Sequence, residues 1–252
     1  MLPLRDNIPT RQFPVVTVAL IVINVVVFFF FQHAHWNGNG FAISDSSTVQ
    51  YAYIPWEFTH MGKECALVGS TVQCPSGSDP GQPGVWLTIL FAMFMHGGLL
   101  HIAGNMLFLW IFGNNVEDSM GRVKFVAFYL LGGLAATLLQ TVTDPSSMVP
   151  NLGASGAIAG VLGGYALLYP RARVVTLIFI VFFVTVIELP ALLVLGSWFV
   201  LELLASGQAS GGASGGVAHF AHIGGFLFGL ATIKLFARHV KQDYVEPRLP
   251  VY

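Results

Sequence analysis

Charge is what this sequence has least of. Only 9% of its 252 residues are Asp, Glu, Lys or Arg, against about 25% in an ordinary soluble domain. Twelve acids and eleven bases are too few to cover the surface of a soluble fold of 27.2 kDa. Neither sign dominates, and a net charge of −1 excludes a basic nucleic-acid binder and an acidic disordered tail. Low complexity is confined to one Gly/Ser stretch, 206–216. Cysteine is scarce too, with Cys65 and Cys74 alone. Apolar residues take the place of what is missing: 55% of the chain, with a mean hydropathy of +0.72. These numbers define an integral membrane protein.

A helix needs about 20 mostly apolar residues to cross a bilayer. Six candidate spans follow. They run from Phe13 to Phe31, Leu99 to Phe112, Val123 to Val142, Gly153 to Pro170, Ile187 to Ala205 and Gly216 to Phe236. The first is too long for a signal-peptide core and no small-x-small cleavage site follows it, so it reads as a retained anchor. Val174 to Ile187 is rich in β-branched and aromatic residues and is closed by Glu188 and Pro190. It is short for a span and reads as interfacial or partly buried structure. Six spans place Arg5, Arg11, Arg122, Lys124, Arg171, Arg173, Lys234, Arg238, Lys241 and Arg248 on one side, and Lys63 alone on the other. That distribution makes the cationic side cytoplasmic.

The expected fold class is therefore all-α and polytopic: a six-helix bundle with both termini cytoplasmic and one long extracytoplasmic loop, about 32–98. Residues 1–12 form a short N-terminal segment, 13–238 the membrane domain and 239–252 a cytoplasmic tail. The loop's Trp36, Tyr51, Tyr53, Trp56 and Trp86 suit the headgroup level. Its end, Trp86 to Met95, reads as amphipathic or partly inserted. Cys65 and Cys74 both lie in it, where an oxidising compartment favours a disulfide.

Polar side chains at membrane depth are costly and mark function. The second span enters from outside with His96, His101 and Asn105, the last two four apart and so on one helix face. The fourth span begins at Ser155, and the sixth carries His219 and His222 near its start. Three helices thus present Ser, His and Asn at a similar outer depth. Ser155 is flanked by Gly153, Ala154 and Gly156, and Gly160, Gly163 and Gly164 follow. The sixth span has Gly224, Gly225 and Gly229. Small residues let two helices approach to near backbone contact, bringing Ser155 within reach of an imidazole. A serine hydroxyl becomes a nucleophile when an adjacent base takes its proton, and a backbone N–H at a helix start can stabilise an oxyanion.

Gly153-Ala154-Ser155-Gly156, Ala221-His222-Ile223-Gly224-Gly225 and His101-Ile102-Ala103-Gly104-Asn105 resemble the three signature segments of the rhomboid intramembrane serine proteases. Glu117, Gly121, Phe125 and Tyr129 resemble that family's pattern after its second span. The resemblance covers about Trp86 to Gly229. It implies a rhomboid-like bundle with a Ser–His dyad and no acidic third member. Ser155 would be the nucleophile and His222 the base. His101, Asn105 and the Ser155 N–H would form the oxyanion hole. It implies no metal and no cofactor. The partners would be transmembrane protein substrates, cut near their outer ends, and the lipid bilayer, with no nucleic acid. The fifth helix and the loop after it would act as a lateral gate. One departure stands out: Ala159 occupies the place where some members carry a Tyr stacked on the catalytic imidazole.

Other readings compete. His219, on the face of His222, is the rival base, and His96 reads as an interfacial polar residue. Glu188 and Glu202 lie in or near the fifth span, neither with a partner for an aspartyl-type dyad, and His33, His35 and His60 read as solvated. A catalytically inactive rhomboid-like protein that binds membrane helices is the alternative function. A metal or transport protein using His96, His101, His219 and His222 is a third, weakened by the lack of HExxH and of a carboxylate in the membrane core. The compact six-span core suggests a bacterial plasma membrane.

Overall fold

In the computed structural model, residues 2–36, 41–69, 71–76, 82–180, 183–209 and 218–238 are described. The expected tail 239–252, with Lys241 and Arg248, lies outside them, as does most of the Gly/Ser stretch 206–216 with the loop before the sixth span.

The chain is mostly helical. Helix α1 (Val15–Val26) starts after Pro14 and continues as a π-helical turn, Val27–Phe31. Helices α2 (Asp45–Tyr51), α3 (Pro55–Thr59) and α4 (Val85–Ala92) are short. Helix α5 (Leu99–Phe108), a π-helical turn (Leu109–Gly113) and α6 (Asn114–Met120) run on as one rod. Then come α7 (Arg122–Thr143), α8 (Ser155–Leu168), α9 (Ala191–Ala209) and α10 (His219–Phe236). Among the described residues three helices are long and apolar enough to cross a membrane: Leu99–Met120, Arg122–Thr143 and His219–Phe236. Val15–Phe31, Ser155–Leu168 and Ala191–Ser206 are shorter apolar helices. The protein is a multi-pass membrane protein.

Helix α8 lies at the centre. All its residues but Ser155 and Leu167 are buried, as expected for a helix that is apolar all round. Its glycines set its distance from α10. A Cβ at Gly225 would overlap the carbonyl oxygen of Gly156, and one at Gly229 that of Gly160. The two backbones touch, so the starts of both helices are held side by side.

The all-α expectation is corrected by a three-stranded antiparallel sheet. Strand β1 (Leu2–Asp6) pairs with β6 (Arg173–Ile180), and β6 pairs with β7 (Phe183–Pro190). The segment 174–187 therefore supplies two paired strands, 174–180 and 183–187. Its β-branched residues suit a pleated surface, and its outer edge is filled by the chain's own N-terminal segment. Strand β7 also claims Ile187–Pro190, so the fifth helix starts at Ala191 rather than Ile187. Asp6 ties this sheet to the bundle. Its Oδ2 accepts from Tyr165 Oη and Asn115 Nδ2, both at 2.6 Å. Burial pushes its carboxyl up from 3.8 to about 6. At the same end Glu117 supplies the acceptors that α1 lacks: Val16 N–H at 3.0 Å, Thr17 N–H at 2.8 Å and the Thr17 hydroxyl at 2.8 Å.

The long loop has its own small core of Val49, Ile54, Trp56 and Cys65. Strand β2 (His35–Trp36) pairs with β3 (Phe41–Ala42), and β4 (Glu64–Val68) with β5 (Thr71–Ser76). A disulfide joins Cys65 and Cys74 across the second hairpin. Beneath it Glu57 Oε1 accepts from Cys65 N–H and Gln82 Nε2, both at 2.7 Å, and burial pushes its carboxyl up. The loop's aromatics divide. Trp36 and Trp86 are exposed, but Tyr53 and Trp56 are buried, in correction of the headgroup expectation. Tyr53 exchanges backbone hydrogen bonds with Asn151 and its hydroxyl lies 2.6 Å from Thr141 Oγ, fastening the loop just ahead of Ser155. Helix α4, the expected amphipathic end of the loop, exposes Trp86, Leu87 and Leu90 and buries Ile89 and Ala92.

Candidate active site

The segment before α8 sets the position of Ser155. Gly153 has a φ of +135°, a conformation natural to glycine alone. Its N–H donates to the Ala92 carbonyl at 2.8 Å. A Cβ there would stand 2.9 Å from Cε1 of His101 and 3.3 Å from Oγ of Ser155. As the first residue of α8, Ser155 has a backbone N–H with no intrahelical acceptor. The start of α10 is set from α7: Gln140 Oε1 accepts the N–H of Ala221 at 3.2 Å.

These supports bring Ser155 Oγ to 2.7 Å from His222 Nε2. When the hydroxyl donates, Nε2 is the acceptor and the ring proton sits on Nδ1. His219 does not share this contact; its Nδ1 faces Glu202 Oε2 at 2.7 Å. The same oxygen lies 2.9 Å from His222 Nδ1. Glu202 thus has two imidazole neighbours, and the expectation that no carboxylate accompanies the histidines is corrected. No alternation or turn pattern pairs residues from separate helices, so this contact left only a weak trace in the sequence: a carboxylate near the outer end of an apolar helix. Trp198, one turn earlier on α9, has its ring centre 5.8 Å from that of His222.

His101 comes from α5. Its Nδ1 accepts the Gly97 N–H at 3.3 Å, so the ring proton is on Nε2, which would stand 3.0 Å from a Cβ at Gly153. Asn105, one turn further on, is buried and its Nδ2 has no hydrogen-bond partner. His96 is fully buried 5.2 Å from the His101 ring, not interfacial. Its backbone is clamped by Gln32, which donates to the His96 carbonyl at 3.0 Å and accepts its N–H at 2.8 Å. His60 stacks on Trp56 in the loop.

A cavity of about 800 Å³ opens over this group, lined by His101, Asn105, Ser155, Ala159, Trp198 and His222 among others. A nucleophile with its base in contact, and donors on a neighbouring helix, is an arrangement suited to acyl transfer. Among the described residues the group able to share a cation is Glu202, His219 and His222, whose ligand atoms lie within 4.8 Å of one another.

Fold and site define a polytopic membrane protein with a serine and an imidazole in contact where three apolar helices begin. Residues 83–239 match the Rhomboid domain, more than half of the chain, and the chain belongs to the rhomboid family. It is similar to Rhomboid protein 1, mitochondrial, of Saccharomyces cerevisiae, at 29% identity over 150 residues, covering 57% of this chain and 40% of that protein. It is also similar to the Presenilin-associated rhomboid-like protein A, mitochondrial, of Danio rerio, at 31% over 163 residues, covering 61% and 38%. Rhomboid protease GluP of Bacillus subtilis is 41% identical over 86 residues, covering 34% and 16%. The matched region spans well under half the length of these relatives.

Proposed function

We propose that this chain is an intramembrane serine endopeptidase that cleaves transmembrane segments near their extracytoplasmic ends. The observation that carries the reading is the 2.7 Å contact between Ser155 Oγ and His222 Nε2. Ser155 Oγ attacks the scissile carbonyl carbon as His222 Nε2 takes its proton. The resulting oxyanion faces His101 Nε2–H, Asn105 Nδ2–H and the Ser155 N–H. His222 then gives the proton to the leaving amine. A water molecule, deprotonated by the same nitrogen, releases the acyl group from Ser155. A helical substrate hides its carbonyls in its own hydrogen bonds, so segments with Gly or Pro near the cut, which unwind at lower cost, are the preferred class.

The proposed topology has six spans, with residues 13–238 as the membrane domain, loop 32–98 outside, and 1–12 and 239–252 in the cytoplasm. It is supported by where the cations lie. Lys124 Nζ donates to the Phe236 carbonyl at 2.9 Å, Arg238 N–H to Ser119 at 2.8 Å, and Arg11 pairs with Asp118 at 3.2 Å. These gather at the ends of α6 and α10, whereas His101 and Ser155–His222 lie near the starts of α5, α8 and α10. The bacterial plasma membrane expected from the sequence has the mitochondrial relatives against it and is not retained; sidedness, not organelle, is the proposal.

The test is cleavage of a reporter transmembrane helix by the purified protein in liposomes. Wild type cuts it and reacts with a fluorophosphonate; Ser155→Ala and His222→Ala do neither while keeping wild-type melting behaviour. A wild type that neither cleaves nor labels would leave the inactive helix-binding reading in its place.

A further inference from the structure

We infer that Glu202 is a third member of the site, a positioning residue that holds the imidazole of His222 for its work on Ser155. The inference rests on the protease reading and goes beyond it, because the rhomboid resemblance implies a dyad without an acid. It stands on the placement of three side chains. Glu202 Oε2 is 2.9 Å from His222 Nδ1, the nitrogen opposite the one that meets Ser155. It is also 2.7 Å from His219 Nδ1. The side chains of Glu202, His219 and His222 are each only 13–15% exposed.

The roles follow from proton counting. His222 Nε2 must be bare to accept the serine proton, so Nδ1 must carry the other ring proton, and an acceptor beside Nδ1 selects that tautomer. When Nε2 gains the Ser155 proton the ring becomes an imidazolium. A carboxylate at 2.9 Å stabilises that charge where water is scarce. The oxygen now sits off the N–H axis, since Nδ1 makes no aligned hydrogen bond; such contacts straighten when substrate is bound. His219, which donates to the same oxygen, fixes the carboxylate rather than competing for Ser155.

The arrangement also answers the absence of an aromatic at Ala159. Helix α8 offers no ring to His222, but α9 offers two groups four residues apart on one face, Trp198 against the ring and Glu202 against Nδ1.

Glu202→Gln, of nearly equal shape, tests it, with Glu202→Asp as the conservative companion and melting in detergent as the control. The expected result is a fall in kcat on the order of 10²- to 10⁴-fold in Glu202→Gln, the scale seen when a triad acid becomes an amide. KM should be unchanged, fluorophosphonate labelling slowed in parallel, and part of kcat restored in Glu202→Asp. Wild-type kcat in both variants, while Ser155→Ala is dead, overturns the inference and leaves the protease reading intact. So does a loss of activity that follows a lowered melting temperature equally in both variants. A wild-type activity abolished by a chelator and restored by Zn²⁺ also overturns it, assigning the three residues to a cation. Absence of labelling in wild type defeats the protease reading instead.

Discussion

Asn105 carries a cost of burial that the proposed chemistry accounts for. Its amide is buried with Nδ2 unpartnered, and an unsatisfied buried donor costs about 1–3 kcal/mol. A donor left idle in the resting protein is free for an oxyanion. Asn105→Ala is expected to lower kcat on the order of 10²-fold with little change in KM, and to leave melting unchanged or slightly raised. Steady-state kinetics on the reporter helix checks it, and a wild-type kcat would remove Asn105 from the proposed oxyanion hole. His101 and Asn105 were legible in the sequence because four-residue spacing puts them on one face of one helix. Ser155 was legible through its glycine neighbours. The contact of Glu202 with His219 and His222 was not, because its partners reside on α10, and no local spacing rule reaches from one helix to the next.

Among the elements, α8 and α10 decide the geometry. They meet through Gly156, Gly160, Gly225 and Gly229, as membrane helices do when small residues line the contact. Gly225→Ala drives a methyl into the Gly156 carbonyl. It is expected to cost about 1–3 kcal/mol, visible as a lower melting temperature, and to separate Ser155 from His222 so that labelling is lost. Gly196→Ala on α9, where the added Cβ meets nothing within 4 Å, should match wild type in both measurements. The glycine spacing was readable and so was the contact it implies. The pairing of β6 with β7 was half readable. The segment's shortness and the placement of the cations spoke against a span, but the third strand of the sheet, β1, whose Leu2 pairs with Leu177, comes from far away in the sequence.

The whole molecule has two unlike ends, and two measurements follow from that. A cysteine replacing Ser155 should react with a membrane-impermeant maleimide applied from the side opposite the cationic termini, and not from theirs; the reverse result would break the topology. At the other end Asp6 binds its proton up to about pH 6 in the folded protein and only to about 3.8 when unfolded. Its contribution to stability is therefore full below about pH 4 and is lost as the pH rises through 6. Melting in detergent should fall over that window by an equivalent of up to about 3 kcal/mol, and Asp6→Asn should flatten the slope. Scarcity of charge, apolar runs, the asymmetry of the cations and three short motifs let the sequence alone determine a multi-pass rhomboid-like chain with Ser155 and His222 at a similar depth. These are consequences of local pattern and of the bilayer as solvent. How closely the imidazole meets the hydroxyl, which carboxylate lies behind it, and where the N-terminal strand goes were decided by the tertiary structure. Those contacts join residues from separate helices and strands, and only packing sets their distance and angle.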